Sequence, residues 1–164
     1  MYDLRAFGSS TRVAPHQGFG EKEIGVNSIS YRVLLVDDYE PWRRFVRSIL
    51  QTQPGFKVAG EADCGTEAIQ KATELKPDLM VLDIGLPDFD GIEVSRRIGH
   101  SVPGMKILFM SQNNDADVVR AALSNGVCGY LLKVDSGIEL LPAIETIRRG
   151  EKFVSKGARL KLSQ

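Results

Sequence analysis

Val33-Leu34-Leu35-Val36-Asp37-Asp38 and Leu79-Met80-Val81-Leu82-Asp83 decide the fold. Each is a short unbroken apolar run that stops on carboxylates. Two further runs have the same form: Ile107-Leu108-Phe109-Met110 stops on Ser111, and Tyr130-Leu131-Leu132 stops on Lys133. Continuous runs of this length predict strands buried on both faces, and therefore a parallel sheet. In an open parallel sheet ligands bind beyond the carboxyl ends of the strands. Three carboxylates, a hydroxyl and an ammonium are thus expected around one crevice.

Working outward from these runs, strand and helix alternate with short connections, as in repeated βα units. A first helix is expected from Glu40-Pro41, where proline suits the first turn, with an apolar face of Trp42, Phe45, Val46, Ile49 and Leu50. Pro54-Gly55 ends it, and Phe56 to Glu61 reads as a second strand that Lys57 marks as an edge. Further helices are expected over Gly65 to Leu75, from Asp90-Gly91 to about Ile98, and from Asp115 to Asn125. A last helix is capped by Ser136, faces inward through Leu140, Leu141, Ile144 and Ile147, and ends at Gly150. The expectation is a flavodoxin-like, doubly wound α/β fold of five parallel strands and five helices. Its sheet order is 2-1-3-4-5, with the switch point between strands one and three. Residues 1–29, rich in Gly and Ser without a hydrophobic period, read as a mobile extension. Residues 30–150 form the domain, and 151–164 a short basic tail with Lys152, Lys156, Arg159 and Lys161, expected to fray into solvent.

Strands one and three end in Asp37-Asp38 and Asp83, so the three acids meet at the switch point. Carboxylates crowded together raise one another's pKa unless a cation joins them. An all-oxygen ligand set with room for water and phosphate suits Mg²⁺. Asp83 then serves as nucleophile for an aspartyl-phosphate, Lys133 as a point charge for one phosphoryl oxygen and Ser111 as donor to another. Each residue alone has a plainer explanation: a capping acid pair, an exposed lysine, a serine capping the fourth helix. All four strand ends agreeing on one chemistry is what outweighs those readings.

The bulk properties exclude other classes. With 21 basic and 21 acidic residues in 164, no whole-chain attraction to nucleic acid or membrane is implied. Cys64 and Cys128 form neither a disulfide framework nor a metal-ligand spacing, and read as small apolar fillers in a reducing cytoplasm. A flavin or nucleotide enzyme on the same fold would need a glycine-rich phosphate loop after strand one, where Asp37-Asp38-Tyr39-Glu40 instead repels phosphate.

Four motifs carry a family resemblance: Val36-Asp37-Asp38, Asp83-Ile84-Gly85-Leu86-Pro87-Asp88-Phe89-Asp90-Gly91, Ser111, and Gly129-Tyr130-Leu131-Leu132-Lys133. In order and spacing the stretch from Tyr31 to Gly150 closely resembles the receiver domain of bacterial two-component response regulators. The wording around Tyr130-Leu131-Leu132-Lys133 and Ala143-Ile144 is similar to the LuxR/FixJ-type branch. The resemblance implies that Asp83 accepts the phosphoryl group, that Asp38 binds Mg²⁺ directly and Asp37 mostly through water, and that the Gly85 carbonyl is a further metal ligand. It makes Ser111 and Tyr130 the switch pair, Tyr130 having a plainer reading as an edge aromatic packed on the fourth helix. It implies no enzyme beyond self-phosphorylation and self-dephosphorylation at an aspartate. The implied partners are a sensor histidine kinase or phosphotransfer protein, a downstream protein target, and a homodimer through helix four, strand five and helix five. No direct nucleic acid or membrane binding is expected, and the chain reads as a stand-alone receiver.

Three departures from the family pattern stand out. Val134 replaces the proline that commonly follows the lysine, predicting a trans peptide and a looser turn. Gln112 is larger than the residue usual after the switch hydroxyl, and Gly85 offers no side chain beside the phosphate. Gln112 and Val134 favour an alternative reading, a phosphorylation-independent interaction module. A second alternative is a truncated LuxR-type DNA-binding regulator, since residues 151–164 are too few for a helix-turn-helix domain.

Overall fold

The computed structural model describes residues 29–164. The extension expected over 1–29 thus lies, apart from Ile29, outside the described residues. The order is β1 (Tyr31–Val36), α1 (Glu40–Gln51), β2 (Phe56–Ala62), α2 (Gly65–Leu75), β3 (Leu79–Leu82), α3 (Gly91–Ser101) and β4 (Lys106–Ser111), followed by α4 (Ala116–Ser124), β5 (Gly129–Leu132), α5 (Ser136–Arg148), β6 (Phe153–Val154) and α6 (Lys156–Leu162). All strand pairs are parallel, in the order β2-β1-β3-β4-β5-β6. The flavodoxin-like arrangement and the 2-1-3-4-5 order are as expected, and β2 with its exposed Lys57 is the outer strand.

The apolar runs are buried on both faces because alternate residues feed two cores. Leu34, Val36, Met80, Leu82, Phe109 and Leu132 pack against α2, α3, α4 and α6 through Ala72, Ile98, Val119 and Ala158. Val33, Leu35, Val81, Leu108, Met110 and Leu131 pack against α1 and α5 through Val46, Leu50, Leu140 and Ile144. Each such side chain contributes about 1.5–3 kcal/mol by leaving water. The sheet is rigid for that reason, and its carboxyl ends are held at fixed spacing.

Three expectations about the chain beyond β5 are corrected. Among the described residues there are six strands and six helices instead of five of each, because residues 151–164 fold instead of fraying. Phe153 and Val154 pair with Gly129 and Tyr130, Ser155 is buried with its Oγ accepting from the Leu132 amide at 3.1 Å, and Ala158 and Leu162 join the core. The basic residues of this segment are interleaved with those apolar ones, so one face docks while Lys152, Lys156 and Arg159 stay in water. The approach is close: a Cβ on Gly157 would lie 2.8 Å from both Leu132 and the Asp135 carboxylate. Nor is Ser136 a cap. It is the first residue of α5, and its hydroxyl donates to the Lys133 carbonyl at 2.6 Å. With Val134 in place of proline the peptide is trans, but the turn is tight, since Lys133–Asp135 form a 3-10 turn running directly into α5.

Candidate functional site

β1 and β3 lie side by side, with Val36 opposite Leu82, so Asp37 and Asp83 leave adjacent strand ends together. β5 delivers Lys133 from across β4. Its Nζ donates to Asp37 Oδ2 at 2.5 Å and to Asp83 Oδ2 at 3.4 Å. All three side chains are buried, at 3, 8 and 9% exposure for Asp37, Asp83 and Lys133. Asp38 is exposed beside them, and the three acids can each offer an oxygen within 4.8 Å of the others. One open cavity is lined by Asp38, Asp83, Gly85, Ser111 and Lys133, with Gln112 exposed at its surface. Asp37 lies behind this lining, its Oδ1 accepting from the Tyr39 amide at 2.9 Å.

The loop after β3 is set by two acids and a glycine. Asp90 caps α3, accepting from the Glu93 amide at 2.8 Å. Cys64, at the N-cap of α2, makes no side-chain cap bond. Asp88 supplies the cap from outside, accepting from the amides of Gly65 and Thr66 at 2.7 and 2.8 Å and from the Thr66 hydroxyl at 2.7 Å. Gly91 is required by close approach, because a Cβ there would lie 2.3 Å from the Asp83 carbonyl. The start of α3 is thereby pressed against the backbone of the candidate nucleophile.

Electrostatics separate the acids. Burial raises the Asp83 pKa and the neighbouring Asp37 charge adds to the rise, while Lys133 and the Gly85 amide oppose it. Desolvation acts to raise Asp88 as well, but the Thr66 and Gly65 donors and the Phe89 amide outweigh it and hold that carboxyl below the usual range.

The switch candidates do not both face the crevice. Ser111 is buried and lines it, its Oγ accepting from the Asn113 amide at 3.1 Å; the cap of α4 is Asp115, not Ser111. Tyr130 is fully buried in the core with Phe109, Val119 and Ala158, and its hydroxyl donates to the Asn113 carbonyl at 2.6 Å. Burial pushes the Tyr130 phenol up, with a further push from Asp83 and a counteracting pull from the Ser111 hydroxyl.

Three residues that the sequence does not mark as belonging to the site lie beside it. Trp42 lines the crevice with its ring 5.3 Å from the Lys133 ammonium, and Arg43 and Glu61 pair behind Asp37. The sign for Arg43 was its register with Val46 and Leu50, the buried stripe of α1. Glu61 had no such sign.

A parallel doubly wound sheet with an acid triad and a lysine at its switch point defines a receiver-type signalling domain. The family model described as the response regulator receiver domain matches residues 33–145, and the chain belongs to that family. It is a two-component signal-transduction module. The response regulator protein VraR of Staphylococcus aureus is 39% identical over 123 residues, which are 75% of this chain and 59% of that protein. The chain thus spans 59% of the length of that curated relative. The crystal structure of a LuxR-family two-component response regulator from Aurantimonas sp. SI85-9A1 superposes with a TM-score of 0.78 at 30% identity, covering 82% of this chain and 96% of that one. The isolated REC domain of RcsB from Salmonella enterica serovar Typhimurium, solved in the presence of phosphomimetic BeF3⁻, shares the fold with a TM-score of 0.77 at 24% identity, covering 81% of this chain and 99% of that one. Among the described residues no helix is long and apolar enough to cross a membrane.

Proposed function

We propose that this receiver accepts a phosphoryl group on Asp83 from the phosphohistidine of a sensor histidine kinase or phosphotransfer protein in the cytoplasm. A bond forms from an Asp83 carboxylate oxygen to phosphorus as the phosphorus–nitrogen bond breaks. The imidazole leaves with the electron pair and takes up a proton. The observation that carries this reading is the Lys133 ammonium bonded at once to Asp37 and Asp83, both buried. Three carboxylates against one ammonium leave two negative charges, which fits a divalent cation held by oxygens. Asp38, Asp83 and the Gly85 carbonyl would hold Mg²⁺, with Asp37 acting through water. When bound, the ion supplies charge neutralisation for the phosphoryl oxygens. Lys133 pairs with one of those oxygens, and the Ser111 hydroxyl donates to another.

The signal then leaves through α4. Drawing Ser111 toward the phosphoryl group pulls the Asn113 segment, to which the Tyr130 hydroxyl is bonded. A coupling of about 1–3 kcal/mol is enough to repopulate the α4–β5–α5 face. A downstream protein, or a second copy of the chain, would meet that face with β6 and α6 already packed on β5 and α4.

Intact mass after incubation with Mg²⁺ and acetyl phosphate or phosphoramidate tests the reading. One phosphoryl adduct that requires Mg²⁺ and is absent in Asp83→Asn is the expected result. A folded protein that takes no adduct and does not bind beryllofluoride would instead be a phosphorylation-independent interaction module.

A further inference from the structure

Every polar group of Asp37 has a partner. Its amide donates to the Ala62 carbonyl at 3.1 Å, and its carboxylate accepts from the Tyr39 amide and Lys133. Its carbonyl accepts from Arg43 Nη1 at 2.6 Å. Arg43 is itself held, its Nε donating to Glu61 at 3.1 Å with the two side chains only 14 and 23% exposed. Glu61 also pairs with Arg47, and its carbonyl accepts from Lys71 Nζ at 2.5 Å.

A bulge in β2 makes this contact possible. Val33 pairs with Val58, but Leu34 pairs with Gly60, leaving Ala59 as an extra residue. In a regular strand Glu61 would face away from Val58, because side chains alternate. The extra residue reverses that parity, so Glu61 stands beside Leu35 on the α1 side, where Arg43 and Arg47 lie. An ion pair serving only to fasten α1 to β2 is already provided by Arg47. Arg43 is the one of the two that reaches the strand end carrying the acids.

We infer that Arg43, held by Glu61 across the β2 bulge, is a positioning residue of the acid crevice. Its guanidinium fixes the Asp37 carbonyl and so the direction in which Asp37 and Asp38 leave β1. The inference rests on the phosphoryl-transfer reading. It assigns Arg43 the outer-shell role of orienting groups that bind the ion and the phosphoryl oxygens.

Arg43→Lys keeps the charge but cannot span both partners, and Arg47→Lys is its internal control. Mg²⁺ titration is followed by the fluorescence of Trp42, the sole tryptophan, which lines the crevice. Exchange of the Tyr39 amide, bonded to Asp37, is followed in the metal-free protein. Arg43→Lys and Glu61→Gln are expected to weaken Mg²⁺ binding about tenfold and to speed Tyr39 exchange. Arg47→Lys is expected to leave both within about twofold, whatever it does to the melting temperature. Equal effects of Arg43→Lys and Arg47→Lys, or none from either, overturn the positioning role while leaving the phosphoryl-transfer reading intact. A wild-type protein that binds no Mg²⁺ overturns that reading, and the role toward the ion with it.

Discussion

Asp83 and Asp88 are five residues apart and belong to opposite regimes. Asp83 sits in the crevice, buried among like charges, and its carboxyl is pushed up. Asp88 stands on the surface of the next loop among four amide and hydroxyl donors, and its carboxyl is held down. The crevice keeps a charge poorly satisfied and available to react. The loop uses the same functional group, fully satisfied, to lock α2 to the strand end. What an acid does in this fold is therefore set by the donors aimed at it, not by its place in an acidic stretch.

The most drastic way to break the contrast is to remove the crevice's one ammonium. Lys133→Met leaves Asp37 and Asp83 buried with backbone amide donors but no counter-charge, which should cost about 3–5 kcal/mol in urea unfolding at neutral pH. The loss should shrink when Mg²⁺ is added. The next test changes only the acid. Asp83→Asn relieves burial of charge and repulsion from Asp37, so it should stabilise the metal-free protein by about 1 kcal/mol, a few degrees in Tm. Asp83's folded pKa is raised, so its penalty is present at neutral pH and vanishes below the unfolded value of about 4. The gap between wild type and Asp83→Asn should accordingly close as the pH falls from 7 toward 4. The smallest effect, opposite in sign to that of Asp83→Asn, is Asp88→Asn, which weakens the cap of α2 and should lower Tm. Asp88's pKa is depressed, so its contribution is present above the ordinary carboxylate value and disappears only at lower pH. Equal signs for the two Asp→Asn changes would end the distinction drawn between crevice and loop.

Much of this was legible because it depends on period and punctuation. Four apolar runs with polar ends give β1, β3, β4 and β5 and bring Asp38, Asp83, Ser111 and Lys133 to one cavity, with Asp37 just behind its lining. What stayed hidden depends on register and docking. The extra residue at Ala59 leaves no compositional mark, yet it decides which way Glu61 points. The basic residues after Gly150 suggested a solvated end, because the apolar positions between them stabilise nothing until β5 and α4 exist to receive them. Tyr130 was assigned to a switching face from its motif. Its burial under α6 could be seen only once that helix was in place.

β6 has one further consequence, for how copies of the protein coexist in solution. Without it, β5 would present an open row of amides and carbonyls at the margin of the sheet, ready to template an incoming strand. Two residues of β6 take up that row, and α6 packs beside them on β5 and α4. A chain cut after Gly150 would keep every residue of the crevice and still be prone to clump, because its outermost strand would have lost its guard.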